Sequence, residues 1–188
     1  MNCRRGMFSC ALALGLLAAS SAARADEAID MSAFRSAVLA QHNDYRARHQ
    51  APKLEYSSKL ESGALSWARR LASTGKFEHS GGSDGENLHF FFSSEAIDAA
   101  QLAEQAVSHW YNEIKKYNYK RPGFSGATGH FTQVVWKGST SLGCGAAKSK
   151  EQSYFIVCRY SPAGNVLGQF PQNVDRPSGR GAASGRHR

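Results

Sequence analysis

Histidine and carboxylate together suit a divalent metal or an acid–base pair, and this chain offers such residues in several places. His79 and Glu86 flank the glycine-rich run HSGGSDGEN at 79–87, where Gly81, Gly82 and Gly85 allow the tight backbone that brings a ring and a carboxylate together. His130 follows Gly129 at the start of GHFTQVVW, 129–136. The last six residues of that run, Phe131 to Trp136, read as a buried strand, with His130 at its mouth and on one face with Thr132, Val134 and Trp136. Glu113 lies on a predicted helix that could border the same cleft. Spacing alone leaves three readings open: a metal site, an acid–base site, or a hydrogen-bonded structural network.

The other histidines read differently. His42 and His49 are seven residues apart on one helix face, about 10 Å by helix rise, too far for one ion. Both therefore read as packing or surface groups. His109 and Glu113 are spaced i,i+4, which suits half a ligand set or an ordinary helix neighbour pair. His89, beside Phe90, Phe91 and Phe92, reads as a half-buried loop residue. The chain contains no H-E-x-x-H, no G-x-S-x-G and no P-loop. Ser80 adjoins His79, but adjacent residues orient poorly as nucleophile and base.

Such residues need elements to hold them. Phe34, Val38, His42, Tyr45 and His49 mark one face of a helix over 31–49. Ser58, Lys59, Leu60 and Glu61 read as a capping box opening a second helix, with Leu60, Ala64, Trp67 and Leu71 inward and Gly75 as its stop. A third helix is predicted over 98–116, with Leu102, Ala106, Trp110 and Ile114 buried. The later segments SLGCGAA and SYFIVCRY read as a hairpin joined by residues 148–152, which places Cys144 nearly opposite Cys158. Helices first and strands later, without βα alternation, predict the α+β class.

The 188 residues suit one domain. Arg4 and Arg5, the short apolar run 11–19 and Ala23-Arg24-Ala25 read as a signal peptide over 1–25, which predicts a secreted or periplasmic protein without a transmembrane segment. Residues 26–175 carry 16 Lys and Arg against 15 Asp and Glu, so all but one of the net +8 charges reside in the signal and in a basic tail, 176–188, read as disordered. That distribution gives no support to nucleic-acid binding by the core. Cys3 and Cys10 leave with the signal. In an exported chain the remaining pair, Cys144 and Cys158, reads as a disulfide over free thiols; closing its loop of about 15 residues is worth about 3 kcal/mol.

Four segments then resemble one family. They are His42-Asn43-Asp44-Tyr45-Arg46, Gly85-Glu86-Asn87-Leu88, GHFTQVVWKGS at 129–139 and FIVCRYSPAGNV at 155–166. In that order they resemble the signatures of the CAP superfamily of cysteine-rich secretory, antigen 5 and pathogenesis-related proteins. The resemblance spans about residues 32–170. It implies an α-β-α sandwich with a three-stranded antiparallel sheet between helical layers. It also implies a large central cleft lined by His79, Glu86, Glu113 and His130, with His79 and His130 as ligands of zinc or another divalent cation. The family reading of Cys144 and Cys158 as a bridge agrees with the export argument. Unlike many secreted relatives, this chain keeps a single cysteine pair and lacks a cysteine-rich C-terminal extension.

Three functions follow as expectations. The first is a secreted binding module for sterol- or lipid-like ligands or extracellular partners. Tyr117, Tyr119 and Phe124 of YNYKRPGF, 117–124, match the aromatic loop implicated in sterol-binding relatives, though they also suit packing of the third helix onto the sheet. The second, less favoured, is a metal-dependent hydrolase or protease using the cleft. The third is an interaction scaffold with a structural tetrad.

Overall fold

Asp30 begins the first helix by accepting the N–H groups of Ser32 and Ala33, and α1 runs Met31–Arg48 with Phe34, Val38, His42 and Arg46 buried along one stripe. The structure is a computed structural model that describes residues 29–178. The signal peptide and residues 179–188 of the tail lie outside the described residues. Residues 176–178, assigned from sequence to that tail, lie against the end of α1: the Ser178 N–H donates to Arg48 O at 2.8 Å, and the Arg176 guanidinium sits 4.7 Å from the Tyr119 ring.

After α1 come β1 (Glu55–Tyr56), α2 (Ser58–Thr74), β2 (Gly85–Phe92), α3 (Ala99–Asn112) and a 3-10 turn, Glu113–Lys116. Then follow α4 (Gly129–Val135), β3 (Ser141–Lys148), β4 (Ser153–Ser161) and α5 (Phe170–Asn173). The cap of α2 falls on Ser57, whose hydroxyl accepts from Leu60 N–H, one residue before the predicted box. Glu61 instead pairs with Arg35 at 2.8 and 2.9 Å. Gly75 ends α2 with φ 68°, as its position required. The cap of α3 is a full box between Asp98 and Gln101.

The sheet has the order β1-β3-β4-β2. Three antiparallel strands are present, as the resemblance implied, with Cys144 opposite Cys158, but the third is β2, read from sequence as loop. A two-residue parallel strand, β1, adds a fourth. Tyr56 covers the β3 edge beyond it: its hydroxyl donates to Cys144 O and accepts from Cys144 N–H, both at 3.1 Å.

One face of the sheet carries the larger core, from Phe34 and Val38 on α1 through Leu102, Ala106 and Trp110 on α3 to Phe131 and Val134 on α4. The other carries α2, with Ala64, Ala68 and Leu71 packed on Leu88, Phe155 and Val157. Trp67, expected in the α2 stripe, is only half-buried; Ala68 takes the inner place. The helix lies close on the sheet because β3 carries Gly143 and Gly145 there. A Cβ at either would come within 2.3 Å of the α2 backbone.

The sequence reading fails at 129–136. That segment is a helix, not a strand. Phe131, Thr132, Gln133, Val134 and Val135 are all buried, and a short run enclosed on every side carries no period by which to tell strand from helix.

Candidate functional site

The Glu113 carboxylate explains why α4 starts where it does. Its Oε2 accepts the backbone N–H groups of His130 at 3.0 Å and Phe131 at 3.1 Å, two of the orphan donors of the first turn. Its Oε1 lies 2.8 Å from His130 Nδ1. A carboxylate only accepts, so Nδ1 carries a proton, and in the neutral ring Nε2 is the nitrogen with the lone pair. The Trp110 ring stacks near the His130 ring, 6.3 Å between centroids at 20°. From the other end, Asn165 accepts from Thr132 Oγ1 and donates to Gly129 O, which locks the helix start.

Glu86 does the same for His79. Its Oε1 lies 2.8 Å from His79 Nδ1 and accepts Ser80 N–H at 2.9 Å, while Oε2 accepts the Ser80 hydroxyl. The Arg159 guanidinium stands 3.5 Å away on the facing strand. Burial acts to raise the Glu86 carboxyl, but the Ser80 and His79 hydrogen bonds together outweigh it and hold it below the ordinary carboxylate range. Here too the ring donates from Nδ1 and presents Nε2. The His79 side chain is 62% exposed, the His130 side chain 32%.

Both histidines predicted as ligands are thus paired with the predicted acids, one pair at each side of the β2 start. Asn87, between them in sequence, donates to His130 O at 3.1 Å and ties β2 to α4. Among the described residues, no group of three or more His, Cys, Asp or Glu is placed to hold a metal ion. An open hollow of about 300 Å³ lies elsewhere, lined by Ser93, Glu95, Ile97, Gln101 and Glu104.

The remaining histidines separate cleanly. His42 is fully buried: Nδ1 donates to Val38 O at 2.7 Å, so Nε2 accepts from the Tyr160 hydroxyl at 2.7 Å. Tyr160 in turn accepts from Asn87 Nδ2 at 3.3 Å. His49 bridges Asp175 O and the Tyr111 hydroxyl. His109 does not join Glu113; its ring sits 4.7 Å from that of His89. His89, read as a loop residue, is in β2 and 8% exposed, and burial followed by the fields of His109 and His130 pushes it down to about 4.

Tyr117 is buried against Phe131 at 5.5 Å and meets Tyr119 edge-on at 4.8 Å. The buried Tyr119 hydroxyl oxygen has no hydrogen-bond partner among the described residues, while the Tyr117 hydroxyl faces the Gly123 backbone. Burial drives both phenols up. Phe124 is 58% exposed, with its ring edge over Gly129. Cys144 and Cys158 are bonded, with Cα atoms 4.1 Å apart.

The sequence assigns no role to Asn87, Tyr160 and Asn165, and weighs Ser80 only as a nucleophile beside His79. Their one signal was membership of segments whose other residues drew attention.

A sheet covered by α2 on one face and by α1, α3 and α4 on the other, with two histidine–glutamate pairs at one strand start, defines an α-β-α sandwich of the secretory-protein type. A family model described as CAP, cysteine-rich secretory protein family, matches residues 39–160, and the chain belongs to that family. It is 40% identical over 150 residues to Golgi-associated plant pathogenesis-related protein 1 of Homo sapiens, covering 77% of this chain and 94% of that one. It is 37% identical to Secreted protein RBT4 of Candida albicans, covering 77% of this chain but only 41% of that protein. Among solved structures it resembles the crystal structure of NaASP2 with Zn2+, with a TM-score of 0.65 and 26% identity, covering 81% of this chain and 90% of that one. No helix among the described residues is long and apolar enough to cross a membrane.

Proposed function

We propose that this chain is an exported binding module in which His79 and His130 hold a labile divalent cation, zinc first, with Glu86 and Glu113 as orienting carboxylates. The supporting observation is the matched pair of Nδ1–carboxylate bonds, each 2.8 Å, which leave two Nε2 atoms as free donors. Carboxylate-backed imidazole is the usual outer arrangement of a histidine metal ligand. Two donors without a third protein ligand suit an exchangeable ion better than a closed structural zinc site. When bound, the cation would supply positive charge and open coordination positions for an oxygen-bearing ligand. NaASP2, a relative by fold, has been solved with Zn2+.

Titration calorimetry of the purified chain with Zn²⁺ tests this. His79→Ala or His130→Ala is expected to abolish one-site binding. Glu86→Gln or Glu113→Gln is expected to weaken it about 10–100-fold. Binding also declines as the imidazoles protonate. Unchanged affinity in both histidine variants overturns the reading.

A second reading, capture of a flat apolar or sterol-like ligand, draws support from Phe124, exposed beside the α4 start, and from the unpartnered Tyr119 hydroxyl. It predicts that Tyr119→Ala and Phe124→Ala lose binding of a fluorescent sterol while His130→Ala keeps it. A serine-hydrolase reading gains nothing from the geometry: Ser80 Oγ and His79 Nδ1 both point at Glu86 rather than at each other.

A further inference from the structure

The strand β2 lies at the edge of the sheet, and its outer rim is unfinished at Phe90 and Phe92. The hydrogen-bonding phase follows from the ladder. Ser93 N–H donates to Gln152 O, and Phe91 is opposite Tyr154 in the same register. Odd-numbered residues of β2 therefore bond inward to β4, and even-numbered ones present N–H and C=O outward. At Leu88 the outward carbonyl accepts the Trp110 indole N–H at 2.9 Å. Among the described residues, no hydrogen bond reaches the outward groups of Phe90 or Phe92.

Side chains at the same two positions are exposed, Phe90 by 46% and Phe92 by 63%, next to Phe77 at 52%. The Phe90 ring lies 6.0 Å from Phe77 and 5.0 Å from Phe155, so the rings gather on the α2 face. An open strand rim flanked by exposed aromatic rings is a pairing surface.

We propose that this rim is a homodimer interface, in which β2 of two copies pairs antiparallel about a two-fold axis at Phe91. The register is self-complementary. With Phe91 opposite its own copy, each Phe90 faces the other chain's Phe92, and both outward pairs close into narrow hydrogen-bonded pairs. The four rings of Phe90 and Phe92 then lie together on one face. Charge favours a second copy over an anionic membrane. Residues 90–94 are uncharged, so two copies meet without repulsion, whereas the charges around the patch are mixed, Lys76 and Lys150 with Asp84, Glu95 and Asp98, and give an anionic lipid surface no net attraction. The area sets the strength. At about 200 Å² per phenylalanine, the exposed parts of Phe77, Phe90 and Phe92 come to roughly 600 Å² over both copies. That is below the ~1,200 Å² of a standard complex, so the dimer is weak and concentration-dependent.

Sedimentation equilibrium of the purified chain across about 5 μM to 1 mM is expected to show a monomer–dimer equilibrium in that range. Amide exchange gives the phase-specific readout. The Phe91 amide is protected at every concentration, while Phe90 and Phe92 become protected only as the dimer fills. Phe92→Pro removes an outward N–H without touching the β4 ladder, and Phe92→Lys brings charge into the ring cluster. Both are expected to weaken association at least tenfold with thermal midpoints near the parent's, while Leu167→Ser, an exposed apolar change elsewhere, leaves it intact. A chain monomeric at 1 mM overturns the proposal, as does a dimer indifferent to both Phe92 variants. So does binding to neutral or anionic vesicles that depends on Phe92 in the absence of self-association, which would assign the patch to lipid.

Discussion

Glu113 holds the His130 ring by one oxygen and the first two N–H groups of α4 by the other. One carboxylate thus sets both the histidine's tautomer and the position of the helix that carries it. His42 is the residue with the sharpest pH consequence. Its Nε2 must accept from Tyr160, so the ring is held neutral, and burial lowers its pKa from 6.5 to about 4. Between those values the unfolded chain binds a proton that the folded chain refuses, so stability is full above about pH 6.5 and falls as pH drops toward 4. The loss from His42 is on the order of 3 kcal/mol, and His89 adds in the same direction. Urea midpoints at pH 7.5, 5.5 and 4.5 should decline in that order; a flat series contradicts the buried neutral ring. The pairing of His79 with Glu86 was visible in the sequence because only six residues, three of them glycines, separate the two. His109 misled for the opposite reason: i,i+4 spacing promises a neighbour, and a distant residue won Glu113.

Among the elements, α4 depends on partners at both ends. Glu113 covers its start, and Arg46 covers its end, donating to Val134 O at 3.1 Å, Trp136 O at 2.7 Å, Ser139 O at 2.9 Å and Pro52 O at 2.8 Å. The guanidinium is fully buried, and burial lowers its pKa to about 10. Arg46→Leu removes the charge but strands four carbonyls. The expected loss is about 3–5 kcal/mol by denaturant unfolding, with the largest increase in amide exchange at residues 129–139. A loss below about 1 kcal/mol would show that α4 holds itself. Helices α1, α2 and α3 were legible because each shows a polar and an apolar face at helical period. The segment 129–136 shows none, and what makes it helical is supplied by Glu113, 17 positions before His130, and by Arg46, over 80 positions before its end.

For the molecule as a whole, the disulfide joins the two central strands at the directly opposed Cys144 and Cys158. Cys144→Ser with Cys158→Ser is expected to cost about 2–4 kcal/mol in denaturant midpoints at unchanged m-value. An unchanged midpoint would mean that the hairpin, packed under α2, needs no tether. Four motifs carried the resemblance to the family; composition and pattern were enough for the α+β class, the β3–β4 hairpin and its register, and the three longer helices. Each of these rests on local periodicity or on residues close in sequence, where spacing alone decides which side chains share a face. The fold of residues 129–136, the division of the six described histidines among a site pair, two buried networks and a ring contact, and the open rim of β2 came only from assembly. They depend on which distant carboxylate, carbonyl or indole reaches a group first, and chain order holds no record of that.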